Sequence, residues 1–219
     1  MTLSPLALSF WVALNATVLT VVVGLPVAWV LARPSLPGRD LLTVLVLLPM
    51  VLPPTVLGYG LLVLMGRGGV LGGWAEAVGL GRIVFTPAAA VIAAFVASAP
   101  FMIRSAQAGF EQVDATYEEA ARTLGRSELA IWFTVTLPLA WRAVLAGLAL
   151  AFARAVGEFG ATVMVAGSIP GRTRTGSLAI YDHVQAGRMD EAGMLSLALT
   201  VAAAGALFVL TRVGRGAGW

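Results

Sequence analysis

Long apolar runs separated by short polar segments set the layout of this chain. Five stretches carry almost no charge: residues 1–32, 41–65, 83–103, about 143–165 and 192–211. Each has the roughly 18–20 apolar residues a helix needs to cross about 30 Å of hydrocarbon. In hydrocarbon every backbone donor and acceptor must be satisfied within the segment, so these runs predict helices. The reading is an all-α integral membrane fold with about five transmembrane helices, spans about 6–32, 41–65, 83–103, 143–165 and 192–211, in a single domain over 1–219. The first run lacks a positive leading segment and is longer than the apolar core of a signal peptide, so it reads as a span.

Charge changes this picture only in detail. The chain has 219 residues, 59% hydrophobic and 11% charged, where a soluble domain carries about a quarter. All 14 basic residues are Arg, there is no Cys, and His183 is the one histidine. A phosphate-binding loop needs its Lys, and zinc or iron–sulfur sites need Cys and His clusters. Energy must therefore come from a partner, with no cofactor or metal expected on this chain. The arginines are scattered between apolar runs without interleaved aromatics, so the formal charge of +3 does not read as a nucleic-acid surface.

Five spans place the termini on opposite sides. With the N-terminus outside, the cytoplasmic segments 33–40, 104–142 and 212–219 hold eight arginines and the outer segments 66–82 and 166–191 hold five. That bias favours this orientation, with the C-terminus in the cytoplasm.

Two spans carry unusual residues. The second holds Pro49, Pro53 and Pro54, followed by Gly58, Tyr59 and Gly60. Prolines break helices, and broken membrane helices persist where neighbours or a water-filled cavity satisfy the freed groups. The span lines a path, or bends for packing. The fourth holds Arg154 and Glu158, four apart and so on one helix face, near Gly157 and Gly160. Charges facing lipid cost about 2.5–3.5 kcal/mol each, so the pair should face the bundle interior, as part of a gate or as a structural ion pair.

Charge density rises between the third and fourth spans. Thr116-Tyr117-Glu118-Glu119 reads as a capping box that opens a short helix. Val113, Tyr117, Ala120, Ala121 and Leu124 give it an apolar face at helical spacing. Gly125 can end it in the left-handed conformation, Ser127 can cap the next helix, and Leu137-Pro138 marks an interruption.

Here the chain resembles a family. Glu119-Ala120-Ala121, three residues, Gly125, nine residues, then Val135-Thr136-Leu137-Pro138 is similar to the EAA loop of MetI-like ABC importer permeases, with Val135 where that pattern has Ile. The resemblance implies that Thr116, Glu118, Glu119, Ala120, Ala121, Leu124, Gly125, Leu137 and Pro138 serve docking to a separate ATPase. Residues 48–59, 152–162, 169–175 and 180–181 resemble molybdate permease subunits of the ModB type. That likeness implies import of molybdate or tungstate through a homodimer. Two ATP-binding cassette subunits would hold ATP and Mg, and an external oxyanion-binding protein would deliver the cargo. Sulfate permeases are close cousins and stand as the alternative. Pro53, Pro54, Gly58, Tyr59, Arg154, Gly157, Glu158 and Gly160 are the candidates for the pathway or gate. In the outer loop Arg172, Thr173 and Arg174 could attract an anion, pair with acids on the binding protein, or form a solvated turn. His183 reads as structural or hydrated.

A gradient-driven transporter would show inverted repeats and carboxylates in several spans, whereas Glu158 stands alone. A membrane enzyme would need a nucleophile–base or metal constellation that one His cannot build.

Overall fold

The computed structural model describes residues 4–34 and 36–216. Among them all regular structure is helical, and five helical stretches are long and apolar enough to cross a membrane: Pro5–Leu31, Pro54–Ala77, Pro87–Glu111, Glu128–Val156 and Met189–Leu210. The number agrees with the expected five. The limits differ, and each difference has a local cause.

The first stretch starts as α1 (Pro5–Leu19), capped by the Ser4 side chain, passes through a π-turn at Thr20–Gly24, and continues as α2 (Leu25–Leu31). Pro26 lacks an N–H and its ring crowds the carbonyl four residues back. The wider π-turn just ahead absorbs that mismatch without ending the helix. What was expected to be one run over 41–65 is instead two helices, α3 (Arg39–Val51) and α4 (Pro54–Met65), separated by extended backbone at Leu52 and Pro53. Each of those residues precedes a proline, which disfavours the helical conformation. After a turn at 66–69 comes α5 (Val70–Ala77), tied back by an Arg67–Glu76 ion pair at 3.6 Å.

Next is α6 (Pro87–Glu111), which runs well past residue 103, where the sequence pattern placed its end. A nine-residue helix follows, α7 (Ala115–Thr123). The fourth span opens at α8 (Glu128–Ile131), crosses a second π-turn at Trp132–Thr136, and continues as α9 (Leu137–Val156). Leu137-Pro138 was expected to interrupt this region. It does not, because the π-turn again precedes the proline. The expected loop over 104–142 thus shrinks to α7 and its flanks. The chain closes with α10 (Gly160–Ala166), α11 (Gly176–Gln185) and α12 (Met189–Gly216). Of the expected cytoplasmic tail over 212–219, residues 217–219 lie outside the described residues.

The bundle is centred on α6, whose apolar window is 61% buried while that of α12 is 0% buried. Its most extensive partner is α9, and small residues make the fit. A Cβ added at Gly147 would sit 2.7 Å from Ser105 Cβ and 3.0 Å from Met102 Cα; one at Gly109 would sit 2.5 Å from Ala143 Cβ. The Ser105 hydroxyl donates to the Ala143 carbonyl at 2.7 Å. Lipid offers no hydrophobic drive between helices, so such close backbone approach and interhelical hydrogen bonding hold them together.

Candidate coupling site and translocation path

The helix α7 projects from the bundle and buries none of its residues. Its N-cap is Asp114, whose carboxylate accepts from the Thr116 N–H at 2.9 Å; the expected capping box of Thr116 and Glu119 does not form. Asp114 precedes the helix by one residue and can reach the orphan amides directly, leaving Glu119 exposed and free. Hydrogen bonds from Thr116 hold the Asp114 carboxyl below its ordinary value. Gly125, at φ +76°, ends α7 as expected, and Ser127 caps α8 by accepting from the Ala130 N–H at 3.3 Å. Tyr117, Glu119, Ala120, Leu124 and Gly125 face outward and Ala121 is half-buried, so the apolar side of α7 is open.

Polar contacts hold α7 in place. Thr136, in the second π-turn, donates its hydroxyl to Glu118 at 2.6 Å. Arg122 pairs with Glu118 at 3.1 Å and with Glu128 at 2.7 Å. The Glu128 hydrogen bond pushes the Arg122 guanidinium above its usual range. Glu128 also accepts from Arg33 at 2.9 Å, and Arg33 lies over the Trp29 ring, which packs on Trp132. The sequence reading missed Glu128, Thr136, Arg33 and Asp114. Only Asp114 carried a local signal, an acidic residue just ahead of a helical pattern. Leu137 and Pro138 open α9 immediately after Thr136.

The proposed pathway residues come from two broken helices that meet. A Cβ on Gly160 would lie 2.4 Å from Pro54 Cβ, and one on Gly58 would lie 2.8 Å from Met164 Cβ and 3.0 Å from Ala161 Cα. Pro53, Pro54, Tyr59 and Gly157 are exposed around this junction. Arg154 and Glu158 do not share a helix, because α9 ends at Val156. Glu158 instead lies in the break, where it accepts from the Ala161 N–H at 2.8 Å and contacts Arg154 at 2.6 Å, a charge contact not aligned as a hydrogen bond. With its side chain 2% exposed, Glu158 closes the start of α10 and faces no open path within the chain.

The segment between α10 and α11, expected as an outer loop, resolves into unlike parts. Thr173 is buried, and its hydroxyl accepts from the Ile169 N–H at 3.1 Å and donates to the Gly167 carbonyl at 3.2 Å. Arg174 is held by Asp182 at 2.9 Å, with Ser168 bridging. Arg172 alone of the three is exposed with no ion pair among the described residues. His183 lies 2.9 Å from Glu191.

Residues 20–214 match the family model described as the binding-protein-dependent transport system inner membrane component. The chain is 41% identical over 192 residues to the molybdenum transport system permease protein ModB of Haemophilus influenzae, covering 87% of this chain and 83% of that one. With the protein of the same name from Mycobacterium tuberculosis it shares 45% over 201 residues, covering 91% and 75%. Among solved structures, the inward-facing MetNI methionine ABC transporter superposes with a TM-score of 0.71 at 18% identity, over 97% of this chain and 94% of that one. A bacterial ABC transporter for alginate gives 0.71 at 16% identity, over 97% and 79%. At such identities the structural likeness bears on the fold alone.

Proposed function

The chain belongs to the binding-protein-dependent transport system inner membrane components, and from that premise we propose that α7 is the foot through which a separate ATPase subunit drives it. The protein is the membrane-spanning permease subunit of an ABC importer for molybdate, placed in the inner membrane. One observation carries the docking proposal: a capped nine-residue helix between two spans, burying nothing of its own and presenting Tyr117, Glu119 and Leu124 outward.

In this reading two copies of the chain form the pathway at their shared face. Two ATPase subunits hold ATP and Mg, and an external oxyanion-binding protein delivers molybdate or tungstate. The N-terminus lies outside and the C-terminus in the cytoplasm, in keeping with the arginine bias. ATP binding favours the conformation in which the ATPases close together, and that differential affinity moves the two feet and switches access across the membrane. Arg172 is the outer-loop residue free to meet the binding protein or its anion; Thr173 and Arg174 shape the loop behind it.

The test uses the full complex in vesicles, with labelled molybdate, tungstate and sulfate. Glu119→Lys and Gly125→Pro are each expected to lower molybdate carried per ATP hydrolysed, and tungstate is expected to compete with molybdate. Natural uptake by both variants would overturn the docking assignment. Sulfate uptake insensitive to molybdate would overturn the substrate.

A further inference from the structure

How the foot is held raises a separate question. A helix with no fully buried residue has little apolar burial to fix its position, and in α7 Ala121 is no more than half-buried. A cavity of about 340 Å³ lies behind it, lined by Trp29, Phe110, Glu111, Glu118, Arg122 and Thr136, so α7 is not packed onto the end of α6. Besides its chain connections, its position rests on polar bonds: Glu118 accepts from Thr136, and the other carboxylate, Glu128, joins α7 to a third element. Glu128 takes Arg122 of α7 on both oxygens, at 2.7 and 3.3 Å, and takes Arg33, just past α2, at 2.9 Å.

The Arg33–Glu128 link joins two helical stretches that each contain a π-turn ahead of a proline. Arg33 follows the stretch that contains the π-turn at Thr20–Gly24, and Glu128 begins the stretch that contains the one at Trp132–Thr136. A π-turn inside a helix is a frequent functional feature and a place where a helix can bend. Stacking of Trp29 on Trp132, at 5.5 Å between ring centres, joins the same two stretches a second time.

We infer that Glu128 is the positioning residue for coupling: it ties α7 to the end of α2, so that displacement of the foot reaches the first and fourth spans together. Without it, α7 would still reach α9 through Glu118 and Thr136 but would no longer carry α2 with it. The inference rests on the docking assignment above and adds to it a route from the foot into the bundle.

The experiment reads the ratio of molybdate taken up to ATP hydrolysed by the complete importer in vesicles. Loss of folded complex lowers both quantities equally and leaves the ratio unmoved, so a merely structural role does not change it. Glu128→Gln and Arg33→Gln are each expected to lower the ratio by at least about fivefold, the lower end of ordinary coupling between sites. Their combination is expected to be no worse than Glu128→Gln alone, since that variant already breaks the Arg33 link. Glu119→Lys serves as the control for docking. If Glu119→Lys lowers the ratio while Glu128→Gln and Arg33→Gln keep the natural one, the inference is overturned and docking stands. If the two Gln effects multiply in the double variant, the residues act separately and the link is overturned. A natural ratio in Glu119→Lys would remove the docking assignment and this inference with it.

Discussion

Two glycines on one helix offer a test of how the junction between α4 and α10 is built. Gly58 and Gly60 both lie in α4, two residues apart. A Cβ at Gly58 would meet Met164 Cβ at 2.8 Å and the Ala161 backbone Cα at 3.0 Å, whereas one at Gly60 meets nothing within 4 Å. Gly→Ala in a helix gains about 1 kcal/mol of intrinsic propensity at either place. Only Gly58→Ala must also force α4 and α10 apart, and overpacking of that kind costs about 1–3 kcal/mol. The expected net effects are a loss of about 0–2 kcal/mol for Gly58→Ala and a gain of up to about 1 kcal/mol for Gly60→Ala, from the same two terms. The difference between the variants is then the packing term alone. For a chain of this size each kcal/mol moves Tm by about 2–4 °C, within reach of tryptophan fluorescence on the purified protein in detergent. Uptake by Gly58→Ala should also fall, because Pro54 and Gly160 meet at the same junction. Equal melting temperatures, or a lower one for Gly60→Ala, would refute the argument that α10 sets the limit on α4.

Two further outcomes follow from the local geometry. Glu158→Gln is expected to lower stability by about 2 kcal/mol, less than the 3–5 typical of a broken buried pair because Arg154 is a third exposed. A melting temperature equal to the natural one together with lost uptake would instead place Glu158 in the pathway. The Asp114 carboxyl is held below its ordinary value of 3.8, so its contribution to α7 is present above that pH and is lost as pH falls further. Hydrogen exchange at Thr116 and Tyr117, corrected for intrinsic rates, should therefore speed up below about pH 4 in the natural chain and show no such step in Asp114→Asn, which keeps a neutral cap.

Much of the architecture was readable from the chain alone, for a physical reason. Hydrocarbon penalises every unpaired backbone group and every charge, so the apolar runs had to become helical, although the run over 41–65 divides between two helices. The end of α7 was readable because its stop signals are local: Gly125 supplies a left-handed residue and Ser127 a cap, each acting within three or four positions. Hydropathy does not mark helix ends, which is why α6 and the fourth span extend into the segment read as a loop. Nor does a proline announce whether it breaks a helix, as at Leu52-Pro53, or is absorbed by a π-turn, as before Pro26 and Pro138.

What tertiary structure decided is the pairing of distant groups. Spacing put Arg154 and Glu158 on one face, yet the helix ends between them, and Glu158 caps α10 from the break. Thr173 and Arg174 look like neighbours of Arg172 along the chain, but folding buries the first and ties the second to Asp182. Glu128 gains its place only because Arg33, 95 residues away, arrives beside it. The sequence by itself determined that five stretches are long and apolar enough to cross a membrane and where α7 ends, since both follow from solvent and short-range backbone chemistry. Which charges meet, and which surfaces close against each other, depended on how the spans pack, because those contacts join residues that no local pattern relates.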